Sequence, residues 1–186
     1  MEIYPNDRIR SWIEINTEMV QRIYTQAQLK DWFIGKARTV AGYRKNVLAN
    51  QQQSRDNTII GKMYFFSYDP KLKAVLPIYD KFPMVFPIER YGDGFLGLNL
   101  HYLPLNQRRY LLDMLMGFAS NKMLTPSMRL KLSYDLLSST KYLKQLSTPC
   151  VKRYLFSHVR SKFIEILPEE WDRACQIPLE LWVIKK

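Results

Sequence analysis

Apolar positions along this chain change period twice, and the changes divide it. Over residues 7–34 they recur at helical spacing. Asp7 can cap a first helix in which Ile9, Trp12, Ile13, Met19 and Ile23 make an approximate apolar face. Thr25 with Gln28 three residues on has the form of a capping box, and it starts a second stretch through Leu29, Trp32 and Phe33. Gly35 is the expected stop. From Thr58 the period shortens. Ile59 to Tyr68 is apolar on both faces, as a central strand would be. Asp69-Pro70-Lys71 predicts a turn, and residues 72–83, punctuated by Pro77 and Pro83, predict an extended run along a sheet edge. Met84–Tyr91 and Phe95–Tyr102 predict a hairpin around Gly92-Asp93-Gly94, where glycine allows the positive φ of a tight connection. Pro87 marks the earlier strand as an edge or a bulge.

After Pro104 the helical period returns. Asn106 is the expected cap of a segment carrying Tyr110, Leu111, Met114, Leu115 and Phe118. Thr125-Pro126 opens the next helix, with proline at its first position, and Leu130, Tyr134 and Leu137 continue it. Residues 138–149 read as a Ser/Thr-rich basic connector. Val151–Val159 is expected to be helical and Lys162–Leu167 a short strand. Pro168–Ala174 is a short helix with acids at its positive end.

These elements predict an α+β fold, a small and mostly antiparallel β-sheet over about residues 59–103 flanked by N-terminal and C-terminal α-helices. Residues 1–35 form an N-terminal helical region and 59–186 the α+β core with its C-terminal helices. Between them, 36–58 is a basic polar arm or linker, with Lys36, Arg38, Arg44, Lys45 and Arg55 all preceding its first acid.

Composition adds a direction. The chain has 186 residues, 47% of them hydrophobic, enough for a core, and a formal net charge of +11. Such a field gathers polyanions, either nucleic acid or an acidic protein. Two cysteines, Cys150 and Cys175, are too few for a disulfide framework and suit a reducing compartment. No apolar run approaches the roughly 20 residues that span a bilayer, and Met1-Glu-Ile-Tyr-Pro lacks the layout of a signal peptide, so a protein without a membrane partner is expected, either soluble and intracellular or built inside a cell into something larger.

Catalytic signals are weak. His101 and His158 are the only histidines, and neither has a ligand-type residue at metal spacing, so His101 reads as a packed, hydrogen-bonded residue. Gly92-Asp93-Gly94 lacks the lysine and helix of a phosphate loop. Asp69, Asp80, Glu89 and Asp93 are the only carboxylates near the sheet that could hold a nuclease metal, and turns account for Asp69 and Asp93. The expectation is no enzyme, no metal and no cofactor.

The basic residues carry more weight. Between Asn121 and Ile164 stand Lys122, Arg129, Lys131, Lys141, Lys144, Lys152, Arg153, Arg160 and Lys162, opposed only by Asp135. Tyr134, Tyr142, Tyr154, Phe156 and Phe163 interleave with them. Cations attract phosphates with a salt-dependent affinity, and exposed rings can stack on unpaired bases. Tyr134, Leu155 and Phe163 read as core. The candidate nucleic-acid contacts are Arg38, Arg44, Lys45, Arg55, Lys141, Lys144, Lys152, Arg153, Arg160 and Lys162, although an acidic protein neighbour would suit the same residues.

Three strings, Gly61–Lys71, Leu76–Pro87 and Asp93–Pro104, together with Val151–Phe163 and Pro168–Ala174 leading to Ile177-Pro-Leu-Glu180, resemble the DNA end protectors, head-completion proteins of contractile-tailed bacteriophages. The resemblance covers roughly residues 59–180 and leaves out the N-terminal helices. It implies a virion structural protein, assembled in the host bacterial cytoplasm, that holds and shields the end of packaged double-stranded DNA at the head–tail junction. Its other partners would be virion proteins of the portal, neck, tail or baseplate. A connector that docks those proteins without specific DNA contact is the second reading.

Overall fold

The computed structural model describes residues 24–42, 61–76, 78–138, 150–178 and 183–185. In chain order its elements are α1 (Gln26–Gly42), β1 (Met63–Phe65), β2 (Ile78–Asp80), β3 (Met84–Tyr91), β4 (Gly94–Asn99), α2 (Leu105–Ala119), α3 (Pro126–Ser138), β5 (Val151–Leu155), β6 (Ile164–Ile166), α4 (Trp171–Gln176) and β7 (Val183–Lys185). Short 3-10 turns occupy Leu100–Tyr102, Phe156–His158 and Pro168–Glu170. The fold is α+β.

Five strands form one antiparallel sheet in the order β5-β4-β3-β1-β6, while β2 and β7 pair as a separate ribbon. The β3–β4 hairpin turns at Gly92-Asp93. Neither Gly92 nor Gly94 adopts the positive φ expected of them; among the described glycines Gly61 does, at φ 89°. Gly94 is required for space instead. A Cβ there would lie 2.0 Å from the Tyr154 carbonyl oxygen, on the strand paired with it. Pro87 sits in β3, an interior strand, and the missing donor is absorbed by a register shift between Pro87 and Glu89.

Alternation along the strands gives the sheet two apolar faces. Met63, Phe65, Met84, Phe86 and Leu98 face the helices and pack with Leu29 and Phe33 of α1, Leu111 and Leu115 of α2, Leu137 of α3 and Trp171 of α4. Tyr64, Phe66, Val85, Phe95 and Tyr154 build a smaller aromatic cluster on the other face, closed by Tyr68, Phe156 and Val159, with Phe163 against it.

Local chemistry sets the helix ends. The Gln28 side chain accepts the Thr25 backbone N–H at 2.9 Å, and Thr25 Oγ1 accepts the Gln28 N–H at 3.2 Å, the reciprocal pattern of a capping box. α1 runs through Gly35 and ends at Gly42, so Gly35 is no stop; its packing through Val40 outweighs the propensity cost of one glycine. α2 begins at Leu105 without a side-chain cap, and Asn106 lies in its first turn. Its buried face is Arg108, Leu111, Leu112 and Leu115, turned from the expected one. Buried Arg108 donates to the carbonyls of Leu103, His101, Cys175 and Ile177 and so ties α2 to the end of α4. Thr125 Oγ1 accepts from the Met128 N–H, as the Thr-Pro start of α3 predicts.

Two further expectations are corrected. Residues 71–75 form turns rather than an extended edge, and the strand that follows is short and belongs to the ribbon. Val151–Leu155 is a strand and not a helix, because it pairs with β4 from Gly94↔Leu155 to Leu98↔Val151. The helix expected behind Asp7 and the 138–149 connector, beyond Ser138, lie outside the described residues.

Candidate nucleic-acid interface

Strand β5 is an outer strand of the sheet, and it carries Lys152 and Arg153. As neighbours on a strand they point to opposite faces. Lys152 shares the aromatic face with Tyr154, and its ammonium lies 4.0 Å from the centroid of the Tyr102 ring. Burial holds that ammonium below its ordinary pKa. Arg153 packs its guanidinium 4.0 Å from the Tyr91 ring centroid and forms an ion pair with Asp93 at the hairpin tip. Its charge is thus partly spent within the protein.

A second group of cations meets Lys152's side of the sheet. Asp69 Oδ1 accepts from Lys73 Nζ at 2.7 Å, and its other oxygen lies 3.8 Å from Arg160 Nη2. Lys73 holds the Asp69 carboxyl below its usual range, against a smaller opposing effect of burial. The backbone locks the two segments together, since Asp69 N–H donates to the His158 carbonyl at 3.0 Å and Arg160 N–H to the Ser67 carbonyl at 2.8 Å. Lys71 stands exposed on the intervening turn, beside Leu72 at 59% exposure.

Between that turn, β2 and β5 lies a cavity of about 290 Å³. Lys71 and Leu72 stand at its exposed side and Lys152 along it, and the half-buried rings of Tyr79 and Tyr102 line it. Deeper in, Asp80, Asn99 and Tyr154 are buried. Asn99 Nδ2 donates to Asp80 Oδ2 at 3.1 Å and to the Tyr154 hydroxyl at 3.0 Å. Asp80 Oδ1 accepts the Phe82 N–H at 3.1 Å, and His101 Nδ1 stands 2.5 Å from Asp80 Oδ2. Burial pushes the His101 ring down from its ordinary pKa, against the opposing pull of Asp80. Burial likewise pushes the Tyr102 phenol up to about 12 and the Tyr154 phenol well above its ordinary value, so both remain hydroxyl donors at neutral pH. The arrangement joins a cationic rim, ring walls and a polar floor.

The sequence candidates distribute as follows. Lys152, Arg160 and the exposed Lys162 lie on β5 and on the segment leading to β6. Arg38 is exposed on α1, which packs on the sheet's other face, so the structure does not bring it beside Lys152. Arg44, Lys45, Arg55, Lys141 and Lys144 lie outside the described residues. Tyr134, read as core, is 38% exposed on α3. The floor and walls, Tyr79, Asn99 and Tyr102, carry no local signal, and neither do Lys71 and Lys73 in their turn. Asp80, a metal candidate in the sequence, is instead bonded to His101 and Asn99. Among the described residues no group of three or more His, Cys, Asp or Glu is placed to hold a metal ion, and no helix is long and apolar enough to cross a membrane.

A protein-family model described as phage T4 terminal DNA protecting protein matches residues 13–186, so the likeness reaches well into the N-terminal helical region that the residue-level resemblance left out. No curated protein and no solved structure matches the chain.

Proposed function

We propose, for a chain that belongs to the phage T4 terminal DNA protecting protein family, that it binds the end of double-stranded DNA and shields it by occlusion. The family match over residues 13–186 carries this reading. The site supports it in kind: Lys71 and Lys152 offer phosphate contacts along one side of the sheet, Lys73 and Arg160 stand beside them with their charge partly spent on Asp69, and the protein body blocks approach to the terminus. Occlusion needs no bond to be made or broken, and we assign the chain no enzymatic role and no cofactor. The same reading seats it in the virion at the head–tail junction, where a packaged end would lie, among portal, neck, tail or baseplate proteins, after assembly in the host bacterial cytoplasm.

The test is protection of a blunt linear duplex from a double-strand exonuclease, titrated with protein and challenged with competitor DNA. Protection should saturate in proportion to ends, and linear competitor should relieve it far better than closed circular DNA of equal mass. Absence of protection, or equal relief by circles, would overturn end binding. Localisation of the chain in intact particles by electron microscopy tests the junction; density elsewhere removes that assignment.

A further inference from the structure

The cavity between β2, β5 and the 70–76 turn is smaller than a duplex end. At about 290 Å³ it stands at the low end of cavities that enclose one small molecule, room for a single nucleotide and not two. Lys71 makes its exposed side cationic, half-buried Lys152 stands along it, and its walls include two half-buried phenol rings, Tyr79 and Tyr102. Its floor has hydrogen-bonding capacity left over. A carboxylate offers about four acceptor positions. Among the described residues Asp80 receives Phe82 N–H, Asn99 Nδ2 and the His101 ring, which leaves a position on Oδ1 for an incoming donor. The Asn99 amide, by contrast, is fully used, with both protons donated and its oxygen accepting the His101 N–H at 2.9 Å.

We propose that this cavity takes one unpaired nucleotide at the DNA end, with its base against the Tyr79 ring, a base amine donating to Asp80, and its phosphate held by Lys71 and by Lys152 where it rests on Tyr102. The inference rests on the end-binding reading and deepens it. A flat base matches ring walls, a single phosphate matches a two-lysine rim, and a carboxylate floor favours bases that present an amine. Thymine is disfavoured, because its N3–H is flanked by two carbonyl oxygens that the carboxylate repels.

The experiment compares affinity for a blunt duplex with that for the same duplex bearing one unpaired nucleotide, using wild type, Tyr79→Ala and Lys152→Ala, each checked for native circular dichroism. Titration of each protein with the four deoxynucleoside 5′-monophosphates runs alongside. Wild type should favour the unpaired end by about tenfold, the scale of one base stacked on an aromatic ring. Tyr79→Ala should lose that preference while still binding blunt ends, Lys152→Ala should lose it and also bind blunt ends more weakly, and dTMP should bind more weakly than the other monophosphates. Equal affinity for both ends, or an unchanged preference in both variants, overturns the nucleotide pocket and leaves end protection standing. Monophosphate binding without any duplex-end binding would keep the pocket and overturn end protection. Binding of dTMP as tight as that of the others removes the role given to Asp80.

Discussion

His101 Nδ1 stands 2.5 Å from Asp80 Oδ2, and both side chains are almost wholly buried beside the cavity. The ring is held neutral by burial, with a pKa below its ordinary 6.5, although Asp80 pulls the other way. At a pH below 6.5 the unfolded chain therefore takes up a proton that the folded one resists, and stability is lost as pH falls. Denaturant unfolding between pH 7.5 and 5 should show stability declining below about pH 6.5, with a slope of at most about 1.4 kcal/mol per pH unit for one proton. His101→Asn should flatten that slope. Asp69 and Glu170, whose carboxyls are lowered from 3.8 and 4.5, act with the same sign only at more acid pH. A slope that survives in His101→Asn would assign it to another group.

Replacing Arg108 by Met keeps the apolar stem but strands the carbonyls of Leu103, His101, Cys175 and Ile177. Unsatisfied buried acceptors cost about 1–3 kcal/mol each, so a loss of about 3 kcal/mol or more is expected. Lysine should recover only part of it, because one ammonium cannot span the carbonyls that a guanidinium fork reaches. Urea midpoints measure both, and a loss under about 1 kcal/mol for Met would show that the carbonyls find other donors.

Gly94→Ala forces a methyl into the Tyr154 carbonyl, where backbone must move. A loss of about 1–3 kcal/mol or more is expected, against near neutrality for Gly92→Ala, which meets nothing within 4 Å. Thermal unfolding of the two variants side by side checks the contrast.

Lys152 and Arg153 are adjacent in sequence but should not be equivalent in DNA binding. Each packs on a ring, Lys152 on Tyr102 and Arg153 on Tyr91, but Arg153 is also paired with a carboxylate, Asp93. Lys152→Glu should weaken binding more than Arg153→Glu and should reduce the salt slope of log K by about one contact. Mobility shifts at several salt concentrations measure both; an equal effect of the two charges would mean that both faces of β5 meet DNA.

Much of the fold was legible because its signals are local. Thr25 with Gln28, Thr125-Pro126, the two hairpin strands and the irregularity at Pro87 all depend on residues within a few positions of each other. Val151–Leu155 was not legible as a strand, because a short run of mixed residues satisfies either period and pairing with β4 decides it. The turned face of α2 has a similar origin: Arg108 is buried by carbonyls distant in sequence, which no apolar pattern encodes. The candidate site divides the same way. Lys152, Arg153 and Arg160 stand out by charge alone. Tyr79, Asn99 and Tyr102 meet Lys152 only through the sheet and the ribbon, and Asp80 reads as a metal candidate until His101 and Asn99 are beside it.

The ribbon ties the cavity to the far end of the chain. Tyr79 pairs with Ile184 and Asp80 with Val183, and β2 has no other strand partner among the described residues. Anything that tugs on Val183–Lys185 therefore pulls directly on the strand that carries the cavity's ring and its carboxylate.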